Sequence, residues 1–262
     1  MRLLTAARAR PKDRVQSETD KAAASVPAKL PAPVGGWVES RGLSADNPKS
    51  ARVMENIFPT TQGVRIRGGS TKVATIGARA KSIFTYQTAA TAKIFASTAS
   101  AVYDISAFNP ASVPSAAISG LTSGYFSTEQ MGTVGGEFLY IVNGTDSPRL
   151  FDGSAWTTIT GVSSPAITGV TTSLLSYVWK HKNRLWFVEK NTRRAWYLPV
   201  DSVGGAAASV SLAGVFQKGG SLLCGTTWSQ DAGDGMDDRV AFISTEGEVA
   251  IYQGSNPASA AD

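Results

Sequence analysis

The sequence predicts an all-β protein, a β-propeller-like array of about four antiparallel blades behind an extended N-terminal arm. Three observations carry this. A hairpin of two short apolar strands recurs four times between residues 83 and 252. The aromatics that end the second strands, Tyr103, Phe151, Tyr197 and Tyr252, return at spacings of 48, 46 and 55 residues. A period of about 40 to 50 residues holding several strands is the signature of a blade array. Charged residues are only 17% and glycines number 26, which suits short strands and many turns better than long amphipathic helices. A β-sandwich is the alternative, because seven or more short strands give a similar text.

Residues 1–34 form a flexible basic arm. They carry Arg2, Arg8, Arg10, Lys12 and Arg14, then an Ala/Pro-rich run, and hold too little apolar surface to offset chain entropy. Residues 1–81 contain 15 of the 25 Lys/Arg but 6 of the 20 Asp/Glu, so a basic segment precedes a mildly acidic body. The five basic residues of the arm are the expected contact with an acidic neighbouring subunit or with nucleic acid; a solvated tail is the other reading.

Residues 35–82 form a turn-rich lead-in. Apolar residues at 53, 54, 57 and 58 predict one or two helical turns that Pro59 ends. Val64-Arg65-Ile66-Arg67 alternates apolar and basic residues, as a short strand with one buried face does.

The β domain is expected over 83–262. Its hairpins are 93–96 with 102–104, 137–142 with 149–152, 184–188 with 195–198, and 239–243 with 249–252. A further β-rich run precedes each: 83–86, 125–128, 177–179 and 226–228. Outer strands are expected at 156–159 and 209–212. Three or four antiparallel strands per period make a blade. Asn143-Gly144 and Glu246-Gly247 supply turn chemistry.

Candidate chemistry is sparse. The single histidine, His181, lies between Lys180 and Lys182 with no carboxylate near in sequence, and is expected on a strand surface. One His and one Cys cannot make a zinc site, and Cys224, in an apolar run, is expected to be a small buried side chain. The acidic loop bearing Asp231, Asp234, Asp237 and Asp238 offers carboxylates on a Gly-bearing turn, as calcium prefers. Its spacing departs from the EF-hand pattern and the closing Glu is absent, so an exposed inter-strand loop is expected and no metal or cofactor is assigned. Lys180, Lys182, Arg184, Lys190, Arg193 and Arg194 form the basic cluster of the body, near Trp179, Trp186 and Trp196. The tryptophans are expected in the sheet core and the cations toward water or a neighbour, although such mixtures also bind nucleic acid. Phe151-Asp152-Gly153-Ser154-Ala155-Trp156 resembles the Asp-box turn of sialidase-like propellers but lacks its Asp-x-Gly spacing. No catalytic set emerges, and no enzyme is expected. No run approaches the roughly 20 apolar residues of a membrane span, and the N-terminus lacks a secretory h-region. A soluble protein made in a reducing compartment is expected.

Ala32 to Trp37, Met54 to Pro59 and Gly63 to Gly69 follow one another in an order that resembles the opening of tail-hub or nozzle proteins of short-tailed bacteriophages and related prophages, also called DNA-stabilisation proteins. The runs 140–144, 148–153, 182–188, 195–200 and 244–254 are similar too, so the likeness covers roughly 32–254. The resemblance implies a non-enzymatic virion part, a homo-oligomer, in that family a hexameric tube. It would lie below the portal and adaptor, continue the DNA channel without sequence specificity, and bear fibres or spikes. Assembly would take place in the bacterial cytoplasm. On that reading Asp231, Asp234, Asp237 and Asp238 face the channel, where they repel phosphates during DNA ejection. The alternative is a propeller binding module that recognises a glycan or protein ligand through its loop tips.

Overall fold

Runs of β-branched and aromatic residues broken by Gly, Asn and Ser favour paired strands over helices. In a computed structural model of the chain, residues 31–38, 49–231 and 236–254 are described, the side chains of 230–237 excepted. The regular elements there are strands, apart from one 3-10 turn at Thr172–Leu174. The chain divides into two units, Met1–Thr71 and Lys72–Asp262.

The first unit holds one two-stranded ribbon, β1 (Ile57–Thr60) against β2 (Gly63–Ile66), with Ile57 opposite Ile66 and Pro59 opposite Val64. The helical turns expected over 53–58 are absent. Asn56 lies in the left-handed region at φ 57°, and a residue before proline is pushed toward extended backbone, so Ile57 and Phe58 enter a strand. The buried face expected for the 63–69 strand is also absent from this unit as described, since Val64 and Ile66 are exposed. Trp37 makes a parallel bridge with Ala51 and its indole Nε1 donates to the Arg52 carbonyl at 2.7 Å.

The second unit is built of four antiparallel sheets in chain order. Sheet one is β3 (Ser82–Gln87), β4 (Ala92–Ser97), β5 (Ala101–Asp104) and β6 (Ala116–Ser119), each strand paired with the next. Sheet two repeats this with β7 (Ser127–Thr133), β8 (Gly136–Val142), β9 (Arg149–Phe151) and β10 (Trp156–Thr158). After β11 (Ile167–Thr168), sheet three is made of β12 (Leu175–His181), β13 (Arg184–Glu189) and β14 (Arg194–Tyr197), completed by β16 (Ala208–Ser211). The short β15 (Gly205–Ala206) lies in the β14–β16 connection and pairs with β11 in parallel. Sheet four is β17 (Leu222–Asp231), β18 (Met236–Ser244) and β19 (Val249–Tyr252). The four repeats are thus four up-and-down sheets, the blade-like array expected, with outer strands at 156–158 and 208–211 and a further one at 116–119.

Three hydrophobic cores join consecutive sheets. Phe84, Tyr86, Phe95 and Val102 of sheet one meet Leu139, Ile141 and Phe151 of sheet two. Met131, Tyr140, Val142 and Leu150 of sheet two meet Leu175, Val178, Leu185 and Phe187 of sheet three. Trp179, Trp186, Val188 and Tyr197 of sheet three meet Val240, Phe242 and Ala250 of sheet four. Sheets two and three are therefore apolar on both faces, which the period-2 alternation of strands permits only if both sets of side chains are apolar. In sheets two and three one face looks back to the preceding repeat and one forward to the next. The aromatic looking back from the third strand is Phe151 in sheet two and Trp196 in sheet three; Tyr197 looks forward. The repeat of Tyr103, Phe151, Tyr197 and Tyr252 read in the sequence is therefore offset by one residue in sheet three, enough to turn a side chain to the other face.

Close approach between sheets is set by glycine. Gly124, in the link from sheet one to sheet two, receives the Ser82 hydroxyl at 2.9 Å and the Ser97 hydroxyl at 2.5 Å on its carbonyl, and a Cβ there would overlap the Thr98 carbonyl. Gly225, on β17, lies against the Trp179 indole so closely that a Cβ would overlap the ring. We expect Gly225→Ala to lower stability by about 1–3 kcal/mol through overpacking, read as a lower urea midpoint with an unchanged slope. An unaltered midpoint would mean that sheets three and four do not approach this closely.

Candidate functional site

A long cation on a short hairpin has two uses for its donors: a ligand in solvent or a carbonyl of its own chain. Here the carbonyls take most of them. Lys182 Nζ donates to the Gly254 carbonyl at 2.7 Å and Lys190 Nζ to that of Gly144 at 3.1 Å. Arg184 Nη1 donates to Leu198 O at 3.2 Å, with its guanidinium 5.7 Å from the Tyr197 ring centre. Arg193 holds the connection after β16 through Gly220 O at 3.0 Å and Phe216 O at 3.2 Å. Of the cluster 180–194, these four cations fasten turns and neighbouring sheets instead of facing only water or a neighbour as expected. Glu189 accepts a hydrogen bond from Trp196 Nε1 at 2.9 Å.

The carboxylates act in the same way. Asp146 accepts from Thr122 N and Oγ1, Ser123 N and Asn143 Nδ2, at 2.7 to 3.3 Å, and so fastens the link after sheet one to the β8–β9 turn. Burial pushes its pKa up, but the donors of Asn143 and Thr122 outweigh this and hold the carboxyl below its ordinary range. Asp104 is likewise held down, burial opposing, by Lys93 at 2.8 Å and by Ser106. Asp152 is lowered by the N–H groups of Ala155 and Ser154. This is the turn that resembles an Asp-box, and here it closes β9 onto β10. Glu248 is lowered by Gln217 N–H and Lys218 N–H. Glu129, on β7, shifts the other way, raised by burial against the opposing charge of Lys180. No second carboxyl is described beside it to complete an acid–base pair. The clamp at Asp146 was signalled in the sequence by Asn143-Gly144-Thr145-Asp146, which reads as a loop; its partners Thr122 and Ser123 carry no signal.

His181 is buried, not on the surface as expected, because the forward face of β12 is covered by sheet four. Its Nδ1 lies 3.1 Å from Thr227 Oγ1, whose proton goes to the Lys180 carbonyl at 2.9 Å. The ring nitrogen is therefore the donor, and the neutral ring carries its proton on Nδ1. Burial first, and then the Lys182 charge, push its pKa down, against a smaller pull from Asp238. Cys224 is half-buried, and burial pushes its thiol up.

Arg2, Arg8, Arg10, Lys12 and Arg14 lie outside the described residues, as does Asp234; Asp231 and Asp237 stand on β17 and β18 but their side chains are not described. Asp238 accepts a hydrogen bond from the Ser229 hydroxyl across the β17–β18 ladder. Three of the four aspartate side chains of this loop therefore lie outside the described residues. Among the described residues no three His, Cys, Asp or Glu side chains are grouped to hold a metal ion, and no helix is long and apolar enough to cross a membrane. An open depression lies between the β3–β4 turn and sheet two, lined by Gln87, Thr88, Gln130 and Glu137. Its central amide is already engaged: Gln130 Nε2 donates to Gln87 O at 2.6 Å and Oε1 accepts from Gln87 N at 2.9 Å.

The chain matches no protein-family model and no curated protein sequence. Its function is argued from this geometry and from the sequence.

His181 is the only histidine, and its ionisation makes stability depend on pH near neutrality. Its folded pKa is depressed below the ordinary value of 6.5. The stability this confers is full above about pH 6.5 and is lost as pH falls through the depressed folded value. Urea unfolding should therefore show falling stability from about pH 7.5 to about pH 5.5, and His181→Gln should remove that slope. A variant that keeps the slope would show that another group sets it. Asp104 and Asp146 add a second loss only at lower pH, as pH drops below the free carboxylate range through their depressed values.

Proposed function

We propose that this chain is a structural part of a bacteriophage tail, a tail-hub or nozzle subunit. Six copies form a ring or tube below the portal and adaptor, continue the DNA channel, and retain or conduct the genome. The particle is assembled in the bacterial cytoplasm and the subunit ends in the virion. The observation that carries this reading is the use of charge in the body. Lys182, Lys190, Arg184, Arg193, Asp146, Asp152 and Glu248 tie loops and sheets together and do not converge on a cavity. A scaffold needs such fastening; an enzyme needs groups poised near neutrality, and the described residues offer no such set. The basic arm, with Arg2, Arg8, Arg10, Lys12 and Arg14, docks on the adaptor or on a neighbouring subunit. The acidic β17–β18 loop, with Asp231, Asp234, Asp237 and Asp238, faces the channel and lets DNA slide past without sequence preference. Distal fibres or spikes are the other partners.

The competing reading, a module that binds a glycan or protein through its loops, would need unspent polar groups in a concave site. The one depression described spends its Gln130 amide on Gln87.

Negative-stain imaging of the purified chain should show rings with an axial channel. Monodisperse single subunits with millimolar sugar affinity would overturn the proposal in favour of the binding module. Deleting residues 1–30 should leave the melting temperature of the β domain unchanged while abolishing docking to adaptor-bearing particles; full docking by the deletion variant would remove the role given to the arm.

A further inference from the structure

Three consecutive residues, Lys180, His181 and Lys182, fasten sheet three to sheet four. The Lys180 carbonyl accepts from the Thr227 hydroxyl of β17 at 2.9 Å, and His181 Nδ1 donates to the same hydroxyl oxygen at 3.1 Å. Lys182 Nζ reaches the Gly254 carbonyl, just after β19, at 2.7 Å. Next to these ties lies the apolar contact of Trp179 and Trp186 with Phe242, and the Trp186 ring stands edge-on to His181 at 6.4 Å. His181 is only 6% exposed, so its ring is part of the interface and not of its rim. The charged groups around it are unevenly matched. Lys182 follows it on the turn, while the Lys180 side chain stands on the opposite face of β12. Arg184 is its partner on β13, with the guanidinium turned to the Leu198 carbonyl and the Tyr197 ring. Sheet four presents Thr227 from β17, Asp238 from β18, and Tyr252 from β19 in the row Thr227–Val240–Tyr252. Asp238 already accepts from the Ser229 hydroxyl. Its pull toward protonation is outweighed by burial and by Lys182.

An added proton goes to Nε2, because Nδ1 already carries one. The bond to Thr227 survives this, since Nδ1 still donates. What the interface cannot accommodate is the charge, buried against Trp186 and beside Lys182. The other face of sheet three responds with opposite sign. Glu129 lies on the face of β7 that sends Met131 to sheet three, and Lys180 on the face of β12 that sends Val178 back to sheet two. Burial pushes the Glu129 carboxyl up, with Lys180 opposing. A carboxyl raised in this way favours the folded contact more as pH falls, because taking up a proton removes a buried charge. We propose that residues 180–182 form an acid-sensitive latch: a proton on His181 releases sheet four from sheet three, while sheets two and three stay packed. The latch is fully closed above about pH 6.5 and opens as pH falls through the depressed folded value of His181. It is independent of the tail role proposed above.

Native-state hydrogen exchange of the full chain tests this amide by amide, at about pH 7.5 and about pH 5.5, with intrinsic exchange rates divided out. In the wild type the opening constant of the β17–β19 amides should rise about three- to tenfold on acidification. That opening should depend less steeply on urea than the one that exposes β8, because it uncovers less surface. His181→Gln keeps a side-chain donor for Thr227 but has no proton to gain; it should retain the opening and lose its pH dependence. NMR titration of the wild type, in which the single histidine gives one ring signal, should show a midpoint below about pH 6.5 and needs no variant. One opening constant shared by β8 and β17–β19 at both pH values would mean that sheet four does not come away alone. A slope that survives in His181→Gln would put the proton on another group. A ring midpoint at or above about pH 6.5 would mean that the closed contact accepts the charge. Each of these three results overturns the proposal.

Discussion

The constraint on which this structure depends is the two-faced burial of its sheets. A strand alternates its side chains, so a sheet with apolar residues on both faces has to find a neighbour on each side. Met131, Tyr140 and Leu150 look one way from sheet two while Leu139, Ile141 and Phe151 look the other. No helix layer is described to cover them. Among the described residues the partner is another sheet of the same construction, and stacking in chain order follows, because consecutive elements are usually adjacent in space. Glycines at 124 and 225 then decide how closely the layers approach, and aromatic rings fill the space between, as where Phe95 and Phe151 meet edge to face at 5.1 Å.

Charge plays a secondary but consistent part. The turns that link layers expose carbonyl and N–H groups that strands cannot pair, and these are the groups that the ionised side chains satisfy. Arg193 holds one side of the β16–β17 connection and Glu248 the other, with opposite charges bound to opposite ends of backbone dipoles. Hydrogen bonds of this kind, with one partner ionised, are stronger than neutral ones. They fix loops without requiring core volume, which short connections lack.

The four hairpins were legible in the sequence because apolar strands and their turns are local patterns. The pairings 184–188 with 195–198 and 239–243 with 249–252 follow from that alone. What the sequence text did not carry was orientation. Trp196 and Tyr197 are adjacent aromatics, and which of them looks back is decided by the register with β13, a property of the pairing. The burial of His181 is hidden for a related reason: flanking lysines suggest an exposed segment, yet alternation places Lys180 and His181 on opposite faces and sheet four covers one of them. The 53–58 stretch has helical spacing, and the left-handed Asn56 together with Pro59 overrules it. The arm and most of the acidic loop rest on composition alone, and composition specifies charge without specifying place.

Each core is shared by two neighbouring sheets and by no others, and this has a bearing on how the body comes apart. Free energy in such an arrangement is close to a sum over adjacent layers, with little that acts across the whole. Among the described residues the central pair of sheets shares a core with a neighbour on each side, while the first and fourth each share one. Opening should therefore begin at the ends and move inward as separate cooperative steps. Amides of β3 to β6 and of β17 to β19 would exchange with solvent sooner than those of β8 and β13.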